Sequence, residues 1–276
     1  MPRLTDPDIF PDAAALREEE GRGALIRMLA QARRLGRQVQ GVQDLYVIGT
    51  EEQAFQLMLD VAREVGWERR GWKIAATNPL MQQKLRTNGP VCGATFSRFH
   101  QSQPAVLRRD ELLDPVIECE FFFTLGLSLP PRSAPYGEDE VEAAVAAVNI
   151  GIEVAECRYP RHALPTAWYV YADGFASGRY IHGPTLPRWS SRLDAGIGVT
   201  LLRNGQTLGQ GSSNDIMGHP LRSVLWLANR LRVAGVGLRA GDVISSGSCN
   251  ILASARAGDH FQAQFHGVGS VTLDVI

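Results

Sequence analysis

The stretch that most constrains the chain is residues 116–125, Val-Ile-Glu-Cys-Glu-Phe-Phe-Phe-Thr-Leu. Its aromatic and apolar content predicts a strand, running on to about residue 127, and a strand sends alternate side chains to opposite faces. Ile117, Cys119, Phe121 and Phe123 then share one face, while Glu118, Glu120 and Phe122 share the other. Both faces are largely apolar, as in a sheet covered on both sides. Two carboxylates side by side there repel each other and lose hydration unless something positive compensates them. A divalent cation does so with a single atom. A third acid, Glu153, stands in a second apolar run, Ile150-Gly-Ile-Glu-Val-Ala155, so two neighbouring strands can bring Glu118, Glu120 and Glu153 together. The competing reading of a bare Glu-x-Glu is a solvent-facing strand; Phe122 beside the acids and the second acidic apolar run weigh against it. Oxygen donors without histidine or thiolate suit a hard ion, Mg2+ or Mn2+, and leave half of an octahedral shell open. A 2-oxo acid chelates through a carboxylate and its keto oxygen, a geometry in which the ion polarises the carbonyl and holds an enolate. Glu156 faces the other side of the strand from Glu153 and is expected to be exposed or salt-bridged.

The rest of the chain supplies the elements around these strands. Residues 13–37 are charged and rich in Ala and Leu at helical spacing. A second helix is expected over residues 50–65, with Thr50 and Gln53 forming a capping box, Ala54, Leu57, Met58 and Val61 on one face, and Gly66 ending it. After Trp72 the chain turns strand-like, punctuated by Gly and Pro. Pro130, Pro131 and Pro135 precede a helix predicted over residues 138–148, followed by a strand over 149–156. Asn204-Gly205 between apolar alternations demands a type I′ hairpin turn. His219-Pro220-Leu221 opens a further helix, capped by His219, with Gly235 past its end. Ala-Gly-Asp recurs at 240–242 and 257–259, which reads as turn chemistry rather than duplication. With no long linker or low-complexity tract, the 276 residues read as one α+β domain: 1–70 mainly helical, 71–276 a β-rich, metal-binding body.

Charge and motifs exclude several classes. Lys plus Arg number 28 against 29 Asp plus Glu, so no field of one sign exists to recruit nucleic acid or an anionic membrane. No run of apolar residues is long enough to span a bilayer. Residues 1–20 carry Asp6, Asp8, Asp12 and Glu18 to Glu20 with no apolar core, unlike a secretory signal, and a cytoplasmic location is expected. Cys92, Cys119, Cys157 and Cys249 are scattered and read as small hydrophobes. Histidine pairs at zinc spacing, a G-x-S-x-G elbow, a Walker loop and G-x-G-x-x-G are all missing.

From about Gly71 onward the sequence resembles the 2-hydroxypentadienoate (2-keto-4-pentenoate) hydratases and 4-oxalocrotonate decarboxylases of the fumarylacetoacetate hydrolase superfamily. The resemblance rests on Gly71-Trp-Lys-Ile-Ala-Ala-Thr77, Ile117-Glu-Cys-Glu120, Gly151-Ile-Glu-Val154, Ala172-Asp-Gly174, Gly218-His-Pro-Leu221 and Gly241-Asp-Val-Ile-Ser-Ser-Gly247. It implies a mixed β-roll with an N-terminal helical segment, a Mg2+ or Mn2+ site at the three glutamates, and a homo-oligomer. It further implies that Lys73, otherwise an ordinary strand lysine, is catalytic, shuttling protons or orienting a substrate carboxylate. Asp173, Ser177 and Ser248 are implied to contact substrate, with Ser245 and Ser246 beside the pocket; Asp173 read on its own is either an orienting residue or a turn residue before Gly174. The implied reaction is a lyase reaction on a small 2-oxo or 2-hydroxy acid: a 2-hydroxy-2,4-dienoate is ketonised, water adds at C4, and a 4-hydroxy-2-oxo acid forms. The alternatives are a 2-oxo acid decarboxylase or C–C bond hydrolase of the same superfamily, or a diverged non-catalytic partner subunit. Two departures bear on the choice. Relatives carry Asp-Phe-Gly where this chain has Val91-Cys92-Gly93, and Ala-Asp-Asn-Ala-Ser where it has Ala172-Asp-Gly-Phe-Ala176, with Ser177 displaced by one.

Overall fold

The computed structural model describes residues 13–249 and 251–276; the acidic opening, 1–12, and Asn250 lie outside them. The chain opens with α1 (Ala13–Leu35) and α2 (Glu51–Val65), which pack on each other. The capping box forms as the sequence requires: Gln53 N donates to the Thr50 hydroxyl and Thr50 N to the Gln53 side chain, both at 3.2 Å, and Gly66 closes the helix at φ 72°.

The body then runs β1 (Arg69–Ala75), α3 (Pro79–Leu85), β2 (Val91–Phe96), β3 (His100–Ser102), β4 (Ala105–Leu107) and β5 (Val116–Leu125). It continues α4 (Glu138–Ala144), β6 (Val145–Ala155), α5 (Ala167–Ala172), β7 (Arg179–Thr185), α6 (Trp189–Asp194), β8 (Gly198–Arg203) and β9 (Gln206–Ser212). The last elements are α7 (Pro220–Val233), β10 (Val243–Ser245), β11 (Leu252–Ser254), β12 (Asp259–Phe265) and β13 (Gly269–Val275). The helix expected over 138–148 stops at Ala144, because Val145 and Val148 pair with Leu125 and Phe123 of β5 and the β-branched side chains fit that ladder better than a helix. The hairpin turn has φ 52° at Asn204 and 78° at Gly205, and His219 caps α7 by accepting from Leu221 N. The two Ala-Gly-Asp tripeptides make the same turn, with Gly241 and Gly258 at φ 88° and 87° and each aspartate accepting a backbone N–H three residues back at 2.9 Å.

The strands form two sheets, β2-β1-β10-β5-β6-β7-β3 with β11 beside β5, and β4-β13-β12-β8-β9. The larger sheet curls until its edges meet: His100 on β3 lies 3.1 Å from the Thr95 hydroxyl on β2. Its convex face, including Ile117, Cys119, Phe121 and Phe123, joins the main core, where Phe121 meets Phe265 of the smaller sheet edge to face at 5.3 Å. The concave face encloses a small apolar cluster of its own, Phe122, Tyr180 and Val243, with His100 stacked on Tyr180 and its partner His182 (2.9 Å) against Phe122. The mixed roll expected from the resemblance is therefore the observed architecture. Among the described residues no helix is long and apolar enough to cross a membrane.

Candidate metal centre

Strand register assembles the acids. Glu118 on β5 lies directly opposite Glu153 on β6, and Glu120, two residues on, lies opposite Gly151 on the same face. One carboxylate oxygen from each of Glu118, Glu120 and Glu153 lies within 4.8 Å of the others. Gly151 has a steric reason to lack a side chain, since a Cβ there would lie 2.2 Å from the Phe122 ring. Lys73 arrives from β1, and its Nζ sits 3.3 Å from Glu153 and donates to the Phe175 carbonyl at 3.2 Å. Lys73, Glu120 and Glu153 are all buried, and Glu118 is half-buried.

Each buried carboxylate is held on one side only. Oε2 of Glu120 accepts from the Ser245 hydroxyl and from Gly247 N at 3.0 Å, while Oε1 of Glu153 accepts from the Tyr180 hydroxyl at 3.2 Å. Oε1 of Glu120 and Oε2 of Glu153 are buried without any hydrogen-bond partner. Unsatisfied buried carboxylate oxygens are costly, and among the described residues Lys73 is the cation that answers to the three acids. The imbalance shows in the proton affinities. Burial, then Glu153 and Glu118, drives the Glu120 carboxyl well above the usual carboxylate range. Burial pushes Glu153 up to about 7, against the opposing pull of Lys73. Burial alone would lower Lys73, but Glu153, Glu118 and Glu120 together outweigh it and hold its ammonium more firmly than usual. Both partners of the Lys73–Glu153 pair thus hold a proton more firmly than usual, as expected of a site short of positive charge. Three carboxylates with an oxygen each within 4.8 Å of the others, two of them carrying a bare buried oxygen, fit a divalent cation.

The structure places the other sequence-derived candidates differently. Ser177 is buried, its hydroxyl donating to the Ala94 carbonyl at 2.9 Å and lying 3.0 Å from the Tyr180 hydroxyl. The Asp173 carboxylate is held by Arg33 Nε at 2.9 Å and Arg158 Nε at 2.7 Å, all three groups buried. Ser248 donates to the Ile251 carbonyl at 3.1 Å, within its own turn, and has no bond to the cluster. Glu156 is buried, paired with Arg179 at 3.2 Å. Val91 lies on the same face of the sheet as Lys73, two residues before Gly93, the register partner of Lys73. Sequence reasoning missed Tyr180 and the Phe175 carbonyl. The alternation Tyr180, His182 in Arg-Tyr-Ile-His carried a signal for the first; a backbone carbonyl carries none.

Residues 88–276 match the fumarylacetoacetate (FAA) hydrolase C-terminal family. The chain is 30% identical over 250 residues to a 2-keto-4-pentenoate hydratase of Paraburkholderia xenovorans (strain LB400), covering 89% of this chain and 91% of that one. It is equally identical, over 89% of this chain and 94% of the other, to a 2-hydroxyhexa-2,4-dienoate hydratase of Comamonas testosteroni. Among solved structures, the 4-oxalocrotonate decarboxylase from Pseudomonas putida G7, complexed with magnesium and adipate, superposes with a TM-score of 0.85 at 24% identity over 94% of this chain and 98% of that one.

Proposed function

We propose a metal-dependent hydration reaction for this protein, which belongs to the fumarylacetoacetate hydrolase family. The observation that carries the reading is the convergence of Glu118, Glu120 and Glu153, two of them with a bare, buried oxygen, and Lys73 alongside. Relatives matched over nine-tenths of their length are named hydratases of 2-keto-4-pentenoate and of 2-hydroxyhexa-2,4-dienoate, which supports a 2-hydroxy-2,4-dienoate as substrate.

Glu118, Glu120 and Glu153 would hold Mg2+ or Mn2+, which supplies electrophilic stabilisation of negative charge on the 2-oxo oxygen. Lys73 is the proton carrier of the scheme. Its ammonium is fixed by Glu153 and the Phe175 carbonyl, leaving one N–H free for substrate. During ketonisation the enol hydroxyl loses a proton as C5 gains one; in hydration, water gives its hydroxyl to C4 and its proton to C3. Lys73 ends the cycle as it began, protonated. The Val91 side chain cannot transfer protons, so no carboxylate partner for Lys73 stands at that position.

Titration with Mg2+ and oxalate, a chelating enolate mimic, tests the site: oxalate binds only with Mg2+, and not to Glu120→Ala. Oxalate binding that ignores Mg2+ ends the proposal. Product analysis on a 2-hydroxy-2,4-dienoate tests the reaction, since hydration releases no CO2 and decarboxylation does. Val91 also favours a second reading, a partner subunit without chemistry of its own; turnover by the purified chain at about 1 s−1 or faster excludes it.

A further inference from the structure

Residues 173–177 connect α5 to β7 through three consecutive positions in the left-handed region, Gly174 at φ 78°, Phe175 at 53° and Ala176 at 61°. Two of these are not glycine, and side chains avoid this conformation unless the surroundings enforce it. Two arginines enforce it. Arg33, from α1, donates to the Asp173 carboxylate through Nε and to the Asp173 carbonyl through Nη2. Arg158, just past β6, donates to the other carboxylate oxygen and, through Nη2 at 2.7 Å, to the Ser177 carbonyl. Asp173 therefore bridges two guanidiniums that fasten both ends of the loop. From above, β2 presses on it: a Cβ on Gly93 would lie 2.1 Å from the Gly174 carbonyl oxygen.

The fastened loop touches the metal centre at two points. Its Phe175 carbonyl receives Lys73 Nζ, and its Ser177 hydroxyl lies against Tyr180, whose own hydroxyl donates to Glu153. We infer that the Arg33–Asp173–Arg158 clamp is a positioning device. Through the strained loop it sets the Lys73 ammonium, and through Ser177 and Tyr180 it turns Glu153 so that Oε2 stays bare for the cation. Asp173 and the arginines touch no reacting atom; they act through the residues the loop carries. The inference rests on the metal-centre reading above.

The test is Mn2+ binding to the metal-free full-length chain, followed by the electron paramagnetic resonance of free Mn2+. Loss of an outer partner of a ligand weakens metal binding roughly 10- to 100-fold. Tyr180→Phe and Ser177→Ala are each expected to weaken Mn2+ binding about tenfold at unchanged circular dichroism, and the double variant no further, because both cut one chain of contacts. Arg158→Lys keeps a charge beside Asp173 but loses the second donor to the Ser177 carbonyl; it should weaken binding similarly, and without further loss in the Tyr180→Phe background. Variants that bind Mn2+ as tightly as the wild type, or losses that multiply in the double variants, overturn the clamp alone. A wild-type chain that fails to bind Mn2+ overturns the metal centre and the clamp with it.

Discussion

Glu120 is satisfied on one oxygen by Ser245 and Gly247 and bare on the other, so its charge is useful to a ligand and adverse to the fold. Glu120→Gln keeps an acceptor for both donors. The metal-free variant is expected to melt at or above the wild-type temperature while Mn2+ affinity falls by more than the roughly 100-fold upper range for an outer partner; calorimetry reads both quantities. Lys73→Met has the opposite signature. It strips the three acids of the Lys73 ammonium, which in a buried site costs about 3–5 kcal/mol, and Mg2+ should restore much of that stability while kcat remains down by about 10²–10⁴. A Lys73→Met protein with wild-type turnover contradicts the proposed proton carrier. At this scale the sequence was legible where a local rule applied. Strand alternation put Glu118 and Glu120 on one face, and an acid inside a second apolar run singled out Glu153. The partners of Asp173, Arg33 and Arg158, come from distant segments, and nothing within the loop announces them.

Elements with strong local chemistry formed where the sequence placed them. Thr50 with Gln53, Asn204-Gly205, and His219 before Pro220 each bind their own neighbours, so their geometry needed no knowledge of the fold. Thr50→Ala is expected to cost about 1 kcal/mol, read as a shift in denaturant midpoint without a change in slope. The boundary near residue 145 failed because the ladder with β5, a partner distant in sequence, overrode the alanine content that favoured helix. Strand edges bring a further consequence. His100 and His182 join β3 to β7 and, through Thr95, to β2; burial first, with His182 and Arg70 adding, drives His100 down to about 3, and burial with Arg70 drives His182 to about 4. Both groups stay neutral in the fold where the unfolded chain would already take protons, so the stability is present above pH 6.5 and is lost as pH falls toward 4. Each unit of depression is worth about 1.4 kcal/mol and each of the two histidines would hold off protonation over about two units, so unfolding by urea at pH 7 and pH 4.5 should differ by up to ~5 kcal/mol, with the difference largely removed in His100→Gln/His182→Gln. A difference that survives in the double variant places the acid sensitivity elsewhere.

At the scale of the molecule, one hydrophobic cluster takes in buried side chains of both the helical segment, such as Leu25 and Phe55, and the β-rich body, such as Phe121 and Val275, so thermal unfolding is expected as a single transition. A cation that binds only the folded state adds about 2.7 kcal/mol at a concentration 100 times its dissociation constant, enough for a rise of roughly 5–10 °C in Tm on adding Mn2+. Differential scanning calorimetry with and without chelator measures both; two resolved peaks, or a Tm indifferent to Mn2+, would contradict these expectations. Beneath the carboxylates the roll is stoppered by Phe122, Tyr180 and Val243, and its seam is sewn shut by His100 and Thr95. Reactant and product would draw on the same three carboxylates and the same lysine, so a spent molecule still inside bars the next one, and product is expected to inhibit in competition with substrate.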